Sequence, residues 1–393
     1  MFADPSGMES INIFSLFLLA FELFFRTILN LFKYIDWGSF FSAIGHLGEF
    51  FQSDREDRIA AYPEAFGFGV KLFFERTVDF FSWLIDFFKN LGRRKPDDPP
   101  KPPGTTTTYQ RKKSLNNGSY IVEGFAVDPT YCYSIEVTTD YRHHRLKRYD
   151  NTNLIPHSDV AVGLGHANDA TMVIPSNGTR YLYVICYGDT SLPAADQKAI
   201  VKLRCDSNGY TQVARYAFPS SYSSYTFAGI AYMGIVGSSG NVAIRQYLIK
   251  NADSYYTINI RDDLSGTGTF NANDIDFAFS IDRGTYSGKD YSNYSRQGIY
   301  YENDRLYVPL WAWNGTSLNK RNENVVFVYE NIGAAITNNT SNKRAARWYN
   351  IIKPSTTNEK FEIEGIGFRG SLFWFNTFED ANSGIYTDSQ SIK

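Results

Sequence analysis

Apolar residues recur at steps of three and four positions in two segments of the first hundred residues. In residues 10–37 the apolar positions are mostly Phe, Leu and Ile, while Glu22, Arg26 and Lys33 fall mostly on the opposite side. In residues 73–91 two adjacent apolar rows repeat every seven positions, with charged residues on the remaining face. Such stripes are typical of amphipathic helices, and a sustained seven-residue repeat is typical of helices packed in a bundle.

These stripes predict an α-helical module over residues 1–95 that anchors or assembles the protein. A surface so rich in Phe favours a partner, so we expect self-association and contact with other proteins through residues 11–92. A self-contained helical hairpin and contact with a membrane remain the alternatives. A single transmembrane span is disfavoured because the longest uncharged stretch of the first segment, residues 10–21, is shorter than the roughly 20 residues that a span needs.

A proline-rich stretch follows the helical segments. Prolines at positions 96, 99, 100, 102 and 103 fix the backbone and remove hydrogen-bond donors, which favours an extended, semi-rigid chain. The sequence therefore predicts a linker over residues 96–114.

From residue 115 the pattern changes to short apolar runs separated by turn residues. One phrase, a polar residue followed by small and then apolar residues, occurs five times, at residues 123–127, 168–172, 228–232, 297–301 and 364–368. Its spacing of about 45–70 residues fits one blade of a β-propeller, whose innermost strand lines a crowded axis.

The fold class that we predict is therefore an all-β five-bladed β-propeller over residues 115–393, with the N-terminal α-helical module before it. A β-sandwich with coincidental repeats is the rival fold. The last blade has few strands of its own, so we expect it to borrow one from the start of the domain, around residues 119–122.

Composition and charge narrow the functional classes. The 39 Lys and Arg residues nearly balance the 41 Asp and Glu residues, for a net charge of −2, so a nucleic-acid partner is not expected. Phe is concentrated in the first hundred residues and Tyr in the remainder, which separates two parts of the chain. Cys132, Cys186 and Cys205 form no metal-binding or redox motif and are interpreted as small buried hydrophobic residues.

Polar residues at equivalent places of the repeats predict a ring around one mouth of the channel. Its members are Glu123, His166, Asn168, Asp169, Gln297 and Glu364. Their oxygens are suited to hold a cation or another ligand, and a hydrogen-bond network between blades is the plainer interpretation. No catalytic motif accompanies them, so we expect neither an enzyme nor a cofactor beyond a structural cation.

Two further groups are candidate binding residues. Exposed aromatic side chains pack against sugar rings, and the candidates for such contacts are Tyr222, Tyr225, Tyr291, Tyr294, Trp311 and Trp313. A basic run supplies the candidate anion contacts Arg142, His143, His144 and Arg145. A solvated loop or an edge strand kept soluble by its charge is the plainer explanation of that run.

The segment Gly165–Thr171, together with the phrases Gln297–Ile299 and Glu364–Ile366, resembles a propeller group of Gram-positive bacteria and their phages. That group includes the five-bladed platform domains of phage receptor-binding proteins and related secreted propellers. The resemblance covers roughly residues 115–393, and residues 80–89 are similar to segments of phage minor structural proteins.

The resemblance implies a phage virion protein of the tail-fibre or receptor-binding type, located in the tail. Such a protein would bind a bacterial cell-surface glycopolymer through its propeller and meet other virion proteins through its helices. A secreted or membrane-anchored bacterial adhesin, outside the cell or at its surface, is the first alternative. A propeller enzyme of the lactonase or lyase type is the second.

Overall fold

The computed structural model describes residues 105–392 with several gaps. The gaps are residues 108, 116–117, 119, 158–162, 189–191, 207–208, 315–320, 352–360, 371, 379–382 and 389–391. The helical module predicted over residues 1–95 and the first part of the predicted linker lie outside the described residues.

Five β-sheets follow one another along the chain, and each repeated phrase of the sequence lies at the innermost strand of one sheet. Two strands come before the first phrase: β1 (Thr105–Thr107) and β2 (Tyr109–Ser114). The first blade consists of β3 (Tyr120–Val127), β4 (Cys132–Thr138), β5 (His144–Tyr149) and β6 (Leu154–His157). The second consists of β7 (Asp169–Val173), β8 (Arg180–Cys186), β9 (Ala199–Cys205) and β10 (Tyr210–Ala217).

The third blade has the longest inner hairpin. Its strands are β11 (Phe227–Ser239), β12 (Val242–Asn251), β13 (Ser254–Arg261) and β15 (Ile275–Asp282). Between the last two, β14 (Gly266–Thr269) returns to pair in parallel with β10 at the edge of the second blade. Short 3-10 turns occur at Ala194–Asp196, Ser220–Tyr222 and Ala272–Asp274.

The fourth and fifth blades complete the ring. A small ribbon, β16 (Thr285–Tyr286) with β17 (Lys289–Asp290), leads into the fourth blade. That blade contains β18 (Ser295–Arg296), β19 (Tyr300–Glu302), β20 (Arg305–Asn314) and β21 (Arg321–Glu330). The helix α1 (Ile332–Thr337) and the short strand β22 (Lys343–Arg344) follow in the chain. The outer strand of the blade is β23 (Arg347–Ile351). The fifth contains β24 (Glu362–Arg369), β25 (Leu372–Phe378) and β26 (Gly384–Asp388). The five-bladed all-β propeller that the repeats predicted is thus confirmed.

Small residues in the inner strands let neighbouring blades approach closely. A Cβ atom added to Gly124 would lie 2.7 Å from the carbonyl oxygen of Ala167, and one added to Gly365 would lie 2.6 Å from the Cβ of Phe125. The Gly124 N–H donates to that same Ala167 carbonyl at 3.0 Å, so the first two blades are joined at this point. The crowded axis therefore explains why each phrase places small residues after its polar one.

The N-terminal strands close the ring, which corrects two expectations about residues 105–122. Strand β2 pairs antiparallel with β26 of the fifth blade, and β1 pairs parallel with β23 of the fourth. Residues 105–114 therefore belong to the propeller and not to a linker. The segment around residues 119–122, predicted to close the ring, instead begins the inner strand β3 of the first blade. Strand β2 resembles a linker in sequence because most of its side chains face solvent.

Aromatic residues fill the space between the blades. The largest fully buried side chains include Tyr183, Tyr247, Tyr255, Tyr307, Tyr329 and Tyr349. The three cysteines are buried, as expected, and form no disulfide bond with one another, and burial raises the pKa of Cys132 and of Cys205 to about 12. Within the described ranges, no helix is long and apolar enough to cross a membrane.

Candidate functional site at one mouth of the channel

A carboxylate and an imidazole meet where the first and second blades join. Glu123 lies on β3, and its carboxylate oxygen Oε2 is 3.1 Å from Nδ1 of His166, which lies in the turn before β7. The Glu123 side chain is 6% exposed and that of His166 is 20% exposed, so solvent reaches the pair mainly from the histidine side. The two groups form an ion pair whenever the imidazole is protonated.

Two tyrosines enclose the imidazole. The ring of Tyr187, just beyond β8, stacks on His166 with 5.0 Å between centroids and an angle of 8°. The ring of Tyr141, in the β4–β5 turn, lies on His166 at 4.7 Å with an angle of 40°. Burial disfavours the charged imidazole, but the hydrogen bond and charge of Glu123 outweigh it, so the pKa of His166 is raised. Burial, with the nearby charge of Glu123, raises the pKa of Tyr187 to about 12, which keeps its hydroxyl neutral.

Two more glutamates approach from the fifth blade. The charge of Glu362 acts on the pKa of His166, and the charge of Glu364 acts on the pKa of Tyr187. Gln297 of the fourth blade donates from Nε2 to Oε1 of Glu362. Both glutamates of β24 therefore lie close enough to the ring contacts of His166 to act on them electrostatically.

A buried asparagine joins the strands that carry these glutamates. Asn376 on β25 accepts the Gly365 N–H at Oδ1 over 2.9 Å and donates from Nδ2 to the carbonyl oxygen of Glu123 over 2.9 Å. Asn376 is fully buried, so these bonds are shielded from water. They connect the backbone beside Glu364 to the backbone of Glu123 at the junction between the first and fifth blades.

Asp169 lies deeper on the axis and is turned toward the backbone. Its carboxylate accepts the N–H groups of Ala170, Ile230 and Ile299 at 2.9, 2.9 and 2.8 Å, which belong to the second, third and fourth blades. Its neighbour Lys250 is also fully buried and donates from Nζ to the Gln297 carbonyl. Burial raises the pKa of Asp169 and lowers the pKa of Lys250, and the charge of each opposes the shift of the other.

The structure brings most of the predicted ring together, but not as a closed circle. Five of its residues lie at or beside the mouth, namely Glu123, His166, Asn168, Gln297 and Glu364. Asp169 instead accepts hydrogen bonds from backbone N–H groups below the mouth. The third blade has Ala228 at the equivalent position, which leaves one side without a polar side chain. Across the described part of the chain, no three His, Cys, Asp or Glu side chains lie close enough together to hold a metal ion. The role of the ring as an ion or ligand site stays a prediction.

Glu362, Tyr141 and Tyr187 were not predicted from the sequence. Glu362 lies two residues before Glu364, but the pairing of β24 with β25 is irregular between Ile363 and Gly365, so a simple period-two pattern does not relate the two side chains. The tyrosines carried no signal either, since each lies in a connection between strands and reaches His166 only through the folding of two blades.

Two of the six predicted glycan contacts are core residues. Tyr291 and Tyr294 are 2% and 5% exposed and belong to the hydrophobic core formed by the third and fourth blades. Tyr222 and Tyr225 are half-buried around Phe227, and the Tyr222 hydroxyl donates to the Ile275 carbonyl. Trp311 is partly buried. The side chain of Trp313 lies outside the described residues.

The predicted anion contacts are split by the alternation of strand β5. Arg142 and His143 are exposed in the preceding turn, whereas His144 is fully buried and donates from Nε2 to the Gly165 carbonyl over 2.8 Å. Arg145 pairs with the buried Glu136 and stacks over Tyr120. The run therefore forms no single basic surface, and His144 instead supports the turn that carries His166.

Comparison with known proteins yields similar folds but no family. The chain matches no family profile and none of the curated proteins. A glycosyl hydrolase from Bacteroides ovatus has a TM-score of 0.42 at 10% identity, covering 76% of this chain and 95% of that one. An exo-1,5-α-L-arabinanase from a bovine ruminal metagenomic library has 0.39 at 11%, covering 72% and 93%. An exo-β-1,3-galactanase from Clostridium thermocellum has 0.41 at 9%, covering 74% and 63%.

These findings contradict the predicted function. The three similar structures named above are described as a glycosyl hydrolase, an arabinanase and a galactanase, and no phage-specific finding stands beside them, so a tail-fibre or receptor-binding protein is not supported. The expectation that the chain is not an enzyme is not supported either. At such low identity, and with TM-scores below 0.5, the likeness assigns no function to this chain. The chemistry must therefore be argued from the mouth of the channel.

Proposed function

We propose that the mouth of the channel is the active site of an enzyme that hydrolyses glycosidic bonds. The observation that carries this proposal is the pair Glu123 and Glu364, set on adjacent inner strands that Asn376 holds together. Glycoside hydrolysis requires two carboxyl groups that flank one bond, one as a proton donor and one as a carboxylate. No metal or cofactor is needed for this chemistry.

The surroundings of Glu123 favour the carboxylate role for it, which leaves the proton-donor role to Glu364. Glu123 faces His166 at 3.1 Å, and a protonated imidazole at that distance favours the ionised carboxylate. Glu123 therefore acts on the anomeric carbon, either through a water molecule whose proton it takes or directly as the nucleophile. Glu364 gives its proton to the leaving glycosidic oxygen as the carbon–oxygen bond breaks. Tyr141 and Tyr187 provide aromatic walls beside this junction, which suit the C–H surface of a sugar.

Hydrolysis by the full chain tests the proposal. Release of reducing sugar is measured on a panel of neutral glycans that includes arabinan and β-1,3-galactan, alongside 4-nitrophenyl glycosides. We expect turnover of at least one member, and a fall in kcat of about 100-fold or more in both E123Q and E364Q, because each removes one of the two required carboxyl groups.

The control is D276N, which changes an exposed carboxylate on the outer strand β15 and should leave turnover unchanged. Absence of hydrolysis across the panel, or full activity in E123Q, would overturn the proposal.

A further inference from the structure

We infer that His166 is a positioning residue of this site. Its imidazole, which contacts the rings of Tyr141 and Tyr187, orients the Glu123 carboxylate in the channel mouth and stabilises the ionised form of that carboxylate. This inference rests on the proposed function and goes beyond it, since His166 need not touch the substrate. Its observable consequences differ from those of a histidine that only fills space.

The backbone around His166 is fixed independently of Glu123. The His166 N–H donates to the Tyr187 carbonyl at 2.7 Å, and His144 holds the preceding carbonyl, that of Gly165, at 2.8 Å. Ala167 adopts a left-handed backbone conformation with φ of 47°, and its N–H closes a turn on the Leu164 carbonyl at 3.0 Å. A non-glycine residue in this region is strained by about 1–2 kcal/mol, so the surrounding contacts must enforce the turn.

The two ring contacts fix the imidazole itself. Stacking at 8° on Tyr187 and the inclined contact with Tyr141 hold the ring, and its Nδ1 lies 3.1 Å from Oε2 of Glu123. A side chain held by two ring contacts loses little further freedom when it interacts with a carboxylate. The imidazole can therefore restrain a carboxylate whose own contacts with solvent are few.

The electrostatic groups around His166 are mostly acidic. They are Glu123 on β3, Glu362 and Glu364 on β24, and the hydroxyls of Tyr141 and Tyr187, with the neutral amide of Asn168 beside them. Interaction with Glu123 raises the pKa of His166, and the same interaction must favour the ionised form of Glu123 by an equal free energy. His166 thus offsets, at one point, the repulsion between glutamates that converge on the mouth.

Selective ¹³C labelling of histidine in the full chain tests the pair without any substrate. The chain has five histidines, so the ring signals can be resolved, and the signal of His166 is identified by its loss in H166Q. We expect the His166 titration midpoint to fall in E123Q, because the carboxylate that favours the protonated imidazole is removed. An unchanged midpoint would show that the pair is not formed and would overturn the inference whether or not the protein hydrolyses glycans.

The pH dependence of kcat/KM separates positioning from packing. We expect H166Q, which retains a hydrogen-bond donor but lacks a charge, to keep most activity near neutral pH and to shift the acid limb of the profile toward neutral pH. H166A should lower kcat/KM by about 100-fold, because it also removes the group that orients the Glu123 carboxylate. D276N, on the outer strand β15, is the control and should leave the profile unchanged.

The outcomes distinguish the inference from the function on which it rests. If E123Q loses activity while the acid limb of the pH profile is unaltered in H166Q, the proposed hydrolase function is supported. The same result overturns the proposed role of His166. Loss of activity in H166A and H166Q to the same extent, with no movement of the limb, would mean that His166 only supports the fold.

Discussion

Single residues at the propeller axis are constrained by close approach. Gly298 has almost no room, because an added Cβ would lie 2.5 Å from Oδ1 of Asp169. Asp169 cannot move aside freely, since its carboxylate holds N–H groups from three blades. The small residue in this phrase is therefore required by a carboxylate on another blade, and not by the conformation of its own backbone.

Gly298→Ala should destabilise the protein by about 1–3 kcal/mol, because the added methyl group overpacks the axis and displaces Asp169. Gly237→Ala is the control, since no atom lies within 4 Å of the position that its Cβ would occupy. Urea unfolding of the full chain measures both variants. Equal stability of the two would contradict the packing argument.

At the level of elements, the ring is closed by a strand from far along the sequence. Strand β2 pairs with β26, and its buried residue Tyr109 packs on Phe361, Phe375 and Tyr386 with ring centroids 5.2–5.5 Å apart. Most other side chains of β2 face solvent, so one aromatic residue contributes much of the apolar contact of the strand.

Tyr109→Ala should lower stability by about 3–5 kcal/mol, because it removes an aromatic side chain from a packed cluster at the closure. Gln110→Ala changes the exposed neighbour on the same strand and should have little effect. Thermal unfolding followed by circular dichroism compares the two variants. A small shift in Tm for Tyr109→Ala would mean that the pairing of β2 contributes little to holding the ring together.

At the scale of the whole propeller, buried charged groups connect the blades at the axis. Asp169 binds the backbone of the second, third and fourth blades, and Lys250 binds the Gln297 carbonyl at the fourth. Gln297 in turn donates to Glu362 of the fifth blade. Charges placed at the centre thus connect four blades and support one side of the candidate site.

Lys250→Met and Asp169→Asn should each destabilise the protein by about 3–5 kcal/mol, because each leaves the other charge buried without its partner. The double variant should lose less unfolding free energy than the sum of the losses in the two single variants. A double-mutant cycle with urea unfolding measures this difference. The exposed pair Arg261 and Asp263 provides the control cycle, in which we expect little coupling. Strictly additive losses at the axis would contradict the coupling.

Local patterns in the chain were enough to identify the blades. Apolar runs bounded by turn residues, and a phrase repeated five times, locate the inner strands because both depend on neighbours within a few residues. Glu123, Asn168, Gln297 and Glu364 could be assigned to the mouth on that basis, since equivalent positions in equivalent strands face the same way.

Contacts between distant residues were decided only by tertiary structure. Closure by β2, the turning of Asp169 toward Ile299, and the burial of Tyr291 and His144 all depend on which blade packs beside which. Charge and aromatic character in the sequence report what a side chain can do, but burial determines whether a ligand reaches it. For that reason the sequence predicted a propeller correctly, whereas the burial of Tyr291 and Tyr294 and the contact of two tyrosines with His166 were not predicted.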